Sequence, residues 1–307
     1  MQGTRQTTLA ALLVTMAAPV AAAPGHGETE VTFTRGNRNT DFAPAYDAQF
    51  RAKLVEGSAE TSTELLAGGL VHPWGIDQLP DDSFLVTERP GRLRHVTANG
   101  TVHAPIEGVP EVYNEAPETG WATQAGLLDV KAGPEFATDR MVYFTYSKPM
   151  GDGMSATAAA RGRLSDDMTQ LTEVEDIWVQ SPPSDAAMHY GSRLVFRGDG
   201  TVFITTGERF TEKYREYAQD LARTYGKVIR VNLDGSIPED NPFVGREGDD
   251  AIWSLGHRNM QGADLAPDGS LFVLEHGPAG GDVLDDGSIV FLTDFENGSV
   301  MHVTAKD

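Results

Sequence analysis

An all-β fold assembled from a repeated strand–turn–strand unit is predicted for this 307-residue chain by three observations. A unit of the form apolar–Asp-Gly–apolar recurs along the chain, its first copies are spaced by roughly 60 residues, and helix-forming composition is confined to one stretch, Thr211 to Tyr225. Asp-Gly supplies the positive φ of a tight hairpin, and the β-branched and aromatic residues on either side pack as paired strands.

The copies run in order. Leu79 to Glu88 is the first, Val195 to Thr206 the second, Leu265 to Glu275 the third and Val283 to Thr293 the fourth. A degenerate version, Pro134 to Tyr146, lies between the first two. The first copy continues through a second turn and strand, Pro90 to Val96, so the unit is a meander rather than an isolated hairpin. Such meanders predict the blades of a β-propeller, with a β-sandwich as the alternative. Asp82, Asp139, Asp199 and Asp268 stand 57, 60 and 69 residues apart, but Asp286 follows Asp268 after only 18. No four-stranded blade fits in that interval. Either the final hairpin completes the third copy's own blade, or a segment is missing there.

The flanks and the composition set limits. Residues 1–23 carry Arg5, an apolar stretch from Leu9 to Val20 and the small-residue run Ala21-Ala22-Ala23, the pattern of a cleaved secretory signal and too short to span a bilayer. The expected location is therefore periplasmic or secreted, with no membrane span after cleavage. Residues 24–60 read as an N-terminal arm and 61–307 as the propeller domain. The chain has no cysteine, so disulfides are excluded and the core alone supplies stability. A net charge of -21 without any basic run excludes nucleic acid and anionic lipid as partners and favours a small neutral substrate.

Chemistry-bearing residues gather beside the repeats, in Met188 to Arg193, in Gly256 to Gly262 and in Glu275 to Pro278. His189 is a candidate general base because imidazole titrates near neutral pH. A lone loop histidine is more often a strand-end cap, and Arg258 taken alone reads as a structural loop arginine. No zinc-ligand spacing, phosphate-binding glycine loop or Gly-x-Ser-x-Gly nucleophile is present.

Six stretches in order resemble one family: Leu70 to Gly75, Leu85 to Leu93, Gln124 to Val130, the His189 motif, Gly226 to Arg230 with Leu233 to Pro238, and Gly256 to Asn259. Together they are similar to the soluble pyrroloquinoline-quinone (PQQ)-dependent aldose sugar dehydrogenases, the glucose/sorbosone dehydrogenase family. The resemblance implies a six-bladed propeller holding PQQ and Ca²⁺, which oxidises a sugar at C1 and passes electrons to an acceptor. It implies His189 as the base that takes the anomeric hydroxyl proton and Arg258 as the cation facing the quinone oxygen. Gln124 and Asn259, with Arg258, would bind the cofactor. Gly277 and Pro278 would offer carbonyl oxygens to Ca²⁺, with Asp282 near a second calcium. The family continues after Gly-Gly-Asp with further blades, whereas this chain passes from Asp282 directly to its closing hairpin. An incomplete propeller with a deletion after residue 282 is therefore expected, and a non-catalytic binding module is the alternative to a PQQ-dependent sugar dehydrogenase.

Overall fold

In the computed structural model, which describes residues 61–115, 123–276, 288–293 and 299–305, the last two segments as backbone, the repeated unit closes its hairpins by two devices. First, an aspartate carboxylate accepts the backbone N–H two residues on: Asp81 from Ser83 at 3.2 Å, Asp139 from Met141 at 2.9 Å, Asp199 from Thr201 at 3.1 Å and Asp268 from Ser270 at 2.9 Å. Second, the residue between them is left-handed, with φ of 84° at Gly200, 83° at Gly269, 63° at Asp82 and 60° at Arg140. Glycine adopts this freely, whereas Asp82 and Arg140 adopt it against their Cβ. The aspartate that aligns with the other copies is thus Asp81, and Asp82 stands in the glycine slot. The fourth copy's turn, the expected signal and arm, and Gly277, Pro278 and Asp282 lie outside the described residues.

The strands assemble into antiparallel sheets in chain order. After β1 (Thr61–Ala67) come three four-stranded meanders. The first is β2 (Pro73–Gln78), β3 (Phe84–Glu88), β4 (Arg92–Val96) and β5 (Val102–Ile106). The second is β6 (Leu127–Ala132), β7 (Met141–Pro149), β8 (Ser155–Leu164) and β9 (Leu171–Val179), with a single helical turn, α1 (Phe136–Asp139), in its first hairpin. The third is β10 (Gly191–Phe196), β11 (Thr201–Thr206), β12 (Lys227–Asn232) and β13 (Ile252–Leu255). A two-stranded sheet follows, β14 (Met260–Leu265) and β15 (Leu271–Glu275). The last sheet, of β16 (Ser288–Thr293) and β17 (Ser299–Ala305), takes β1 as its third strand in the order β1-β17-β16.

First strands meet first strands: β2 touches β6, β6 touches β10, β10 touches β14, and β16 returns against β2. This is the radial packing of a propeller. The core lies between sheets rather than inside one layer, because successive side chains on a strand face opposite neighbours. On β3, Leu85 joins the cluster shared with the second sheet, while Phe84 and Val86 join the cluster shared with Ala67 of β1. On β11, Val202 and Ile204 face the second sheet and Phe203 faces β14.

The helical stretch expected over Thr211 to Tyr225 is reduced to two four-residue turns, α2 (Glu212–Arg215) and a 3₁₀ turn (Glu216–Gln219). Its end is fixed by the buried ammonium of Lys227, which donates to the carbonyls of Tyr217 at 2.8 Å, Ala218 at 2.9 Å and Tyr225 at 2.8 Å. Those bonds satisfy the orphan acceptors of a helix terminus.

Candidate active site

The candidate residues come together where the first strands begin. The position two residues before a first strand recurs as Val71 before β2, Ala125 before β6, His189 before β10 and Arg258 before β14. Two equivalent positions in neighbouring sheets therefore carry the two candidate catalytic side chains.

His189 sits on a strained loop. Its own φ is 50°, followed by 68° at Gly191 and 93° at Ser192, a run that costs non-glycine residues energy and persists only under strong local constraint. The constraints are specific. The N–H of His189 donates to Oε1 of Gln124 at 2.8 Å, and the N–H of Gly191 donates to Oδ1 of Asn259 at 3.0 Å. Gly207, immediately after β11, lies so close that a Cβ there would be 2.0 Å from the His189 carbonyl oxygen. Only glycine fits there.

Each amide thus spends its oxygen on the histidine loop. The NH₂ groups of Gln124 and Asn259 make no hydrogen bond with the described residues and remain as donors. Arg258 is fixed on three sides: its carbonyl accepts the N–H of Glu208 at 2.8 Å, its N–H donates to Oε2 of Glu275 at 2.6 Å, and its guanidinium donates through Nη1 to the carbonyl of His276. The donor set of one guanidinium and two amide NH₂ groups fits an anionic, carbonyl-bearing ligand such as PQQ.

The sequence reading omitted Glu208. Its Oε2 lies 2.6 Å from Nδ1 of His189, and both side chains are buried, at 2% and 6% exposure. A carboxylate can only accept, so Nδ1 carries the proton in this pair, which leaves the Nε2 lone pair unengaged. Oε1 of Glu208 is buried without a hydrogen-bond partner among the described residues. Phe210 packs edge-on against the imidazole, with centroids 5.0 Å apart. Between them, Arg209 is fully buried and its guanidinium stacks on Tyr190 at 3.5 Å. It also donates to Ser184 Oγ and Ser155 Oγ, both at 2.8 Å, so the loop after β11 is clamped to the loop before β10.

The repeats point to the neighbourhood of Glu208 but not to the residue itself. In the first and third copies a glutamate ends the second strand, Glu88 opposite Pro73 and Glu275 opposite Met260. In the second copy that slot, opposite Gly191, holds Thr206, and the acid arrives two residues later. It stands on the loop just past the end of β11, from which its carboxylate reaches the imidazole.

Of the expected residues, Gln124, His189, Arg258 and Asn259 are brought together. Among the described residues no group of three or more His, Asp or Glu side chains could hold a metal ion.

A family profile described as Glucose / Sorbosone dehydrogenase matches residues 70–300. Over 235 residues the chain is 41% identical to aldose sugar dehydrogenase YliI of Escherichia coli (strain K12), an alignment covering 76% of this chain and 61% of that protein. It is 29% identical to quinoprotein glucose dehydrogenase B of Acinetobacter calcoaceticus, over 80% of this chain and 52% of the other. The chain thus spans about half to three fifths of the length of these relatives. Among solved structures it is similar to the PQQ-bound form of the aldose sugar dehydrogenase (Adh) of Streptomyces coelicolor, with a TM-score of 0.57 and 27% identity over 71% of this chain and 61% of the other.

Proposed function

The chain belongs to the glucose/sorbosone dehydrogenase family, and on that premise we propose that it oxidises aldose sugars at C1 to lactones, outside the cytoplasm, with PQQ and Ca²⁺. The observation that carries the reading is the His189–Glu208 pair, 2.6 Å apart, with no hydrogen bond to Nε2 among the described residues and the histidine loop held by Gln124 and Asn259.

When bound, PQQ supplies the acceptor for the hydride that leaves C1. The protein's part is proton transfer and charge stabilisation. His189 Nε2 takes the proton of the anomeric hydroxyl as the C1–H bond breaks. Glu208, buried against the ring, stabilises the imidazolium that forms and keeps the ring in one orientation. Arg258 offers a fixed cation to negative charge that develops on an oxygen, and a preorganised donor in a dry site stabilises that charge without reorganising. Gln124 and Asn259 hold the histidine loop with their oxygens and turn their NH₂ groups to the ligand. The proposed calcium residues Gly277, Pro278 and Asp282 enter by family resemblance alone.

The test is reconstitution. Sugar-dependent dye reduction that requires both PQQ and Ca²⁺ supports the proposal, whereas activity in chelator without PQQ, or with NAD in its place, overturns it. Tight PQQ binding without any sugar turnover favours the second reading, a binding module on the same scaffold, whose ground is the short interval from Asp268 to Asp286.

A further inference from the structure

Beside Arg258, three side chains form a chain with the outline of a hydrolytic triad. Ser254 Oγ lies 2.7 Å from Nε2 of His257, and Nδ1 of His257 lies 2.7 Å from Oε1 of Glu275. A nucleophilic serine also needs free N–H donors where an oxyanion would form. The amides that follow Ser254 in the loop are already committed: Gly256 to the carbonyl of Ala218 at 2.9 Å, His257 to that of Gly226 at 3.1 Å and Arg258 to Glu275. These three amides therefore cannot serve as an oxyanion hole for Ser254.

The first sheet shows what the glutamate does instead. Glu88 occupies the same repeat position as Glu275, is fully buried, and accepts the N–H of Val71, the residue equivalent to Arg258, at 2.5 Å. Its other oxygen is taken by Arg92 at 2.7 Å and Arg94 at 3.1 Å. Val71 has no chemistry to offer, so the bond from glutamate to loop amide is a scaffold device of the repeat. In the fourth sheet the same device falls on the amide of Arg258, and His257 with Ser254 replaces the arginines.

We infer that Glu275 is a positioning residue for Arg258, its carboxylate held in place by the His257–Ser254 chain while it fixes the Arg258 backbone toward the ligand. The inference rests on the proposed function for its consequence, but the geometry can be tested without it.

Amide hydrogen exchange of the apo protein, read by NMR, decides the structural half. In Glu275→Ala the Arg258 amide should exchange at least ~10-fold faster, as expected for loss of a charge-assisted hydrogen bond, while the Val71 amide, held by Glu88, stays unchanged. An unchanged Arg258 amide overturns the inference, and Val71 accelerating in step with it overturns it too, by showing a global effect. In Glu275→Gln the side-chain oxygen still accepts from Arg258, while its NH₂ can face Nδ1 of His257 only in the other tautomer. Protection of Arg258 should persist with the His257 proton moved to Nε2, which ring ¹⁵N shifts report; absence of that switch also counts against the inference. PQQ titration then reads the consequence, with affinity about 10-fold weaker in Glu275→Ala and within about 3-fold of the unmutated protein in Glu275→Gln. Equal affinity in all three contradicts the inference. If the unmutated protein binds no PQQ, the functional proposal fails while the exchange data still settle the role of Glu275. A fluorophosphonate should leave Ser254 unlabelled, and labelling would restore the hydrolytic reading.

Discussion

A neutral imidazole whose Nδ1–H meets a buried carboxylate presents its Nε2 lone pair outward, and Glu208, 2.6 Å away, holds His189 in that state. His189→Ala should therefore lower turnover by about 10²–10⁴-fold with little change in PQQ affinity, since a general base acts in the transition state. Glu208→Gln keeps the shape but removes the charge that stabilises the imidazolium, and a loss of about 10²-fold or more in kcat with KM nearly unchanged is expected. Steady-state kinetics with the reconstituted variants check both, and a Glu208→Gln enzyme within a few-fold of the parent would contradict the assignment. His189 was legible in the sequence because its neighbours form a motif. Glu208 was not, because it stands two residues beyond the slot that Glu88 and Glu275 share, and its partnership depends on the loop before β10 meeting the loop after β11. That meeting is a tertiary fact without a local signature.

The hairpin is the element that repeats, and its chemistry explains both the regular and the degenerate copies. Asp82 and Arg140 fill the left-handed slot that Gly200 and Gly269 fill elsewhere. Asp82→Gly relieves its backbone strain, ~1 kcal/mol or somewhat more, against a larger chain-entropy loss of roughly 0.5–1 kcal/mol. A small net stabilisation of about 0.5 kcal/mol is predicted, visible as a rise in the urea midpoint; a lowered midpoint would show that the bond from Gln78 Nε2 to Asp82, 3.1 Å long, matters more than the strain. The turn aspartates also set a pH dependence. A bond from the Ser83 hydroxyl holds the Asp81 carboxyl below its ordinary range, and the Ser270 N–H does the same for Asp268. Carboxyls lowered in the fold contribute stability that is present above their unfolded value near 3.9 and lost as pH falls through the folded value. Denaturant midpoints should decline below about pH 4, and Asp81→Asn should flatten that decline. The strands and turns were legible because Asp-Gly and alternating apolar residues are local signals. The helix over Thr211 to Tyr225 was overestimated: composition gives no hint that Lys227, beyond its end, would gather the carbonyls of Tyr217, Ala218 and Tyr225 and stop it after two short turns.

At the scale of the whole molecule, sheets succeed one another around an axis, and the first and last described strands meet where β1 pairs with β17, from Thr61 opposite Ala305 to Ala67 opposite Val300. A period near 60 residues made the succession legible, and the short interval from Asp268 to Asp286 marked where it changes. The pairing of β1 with β17 was not legible, since strands at opposite ends of a sequence leave no shared local pattern. The same geometry puts His189 and Arg258 at equivalent positions of adjacent sheets, where the two loops are proposed to form one PQQ-dependent oxidation site. The most direct measurement is dye reduction by the purified protein on addition of an aldose, after incubation with PQQ and Ca²⁺, beside the His189→Ala variant treated identically. Sugar-dependent reduction is expected in the parent, none without PQQ, and a loss of at least ~10²-fold in the variant although it still binds PQQ. Equal rates in parent and variant, or reduction that needs no PQQ, would contradict the proposal.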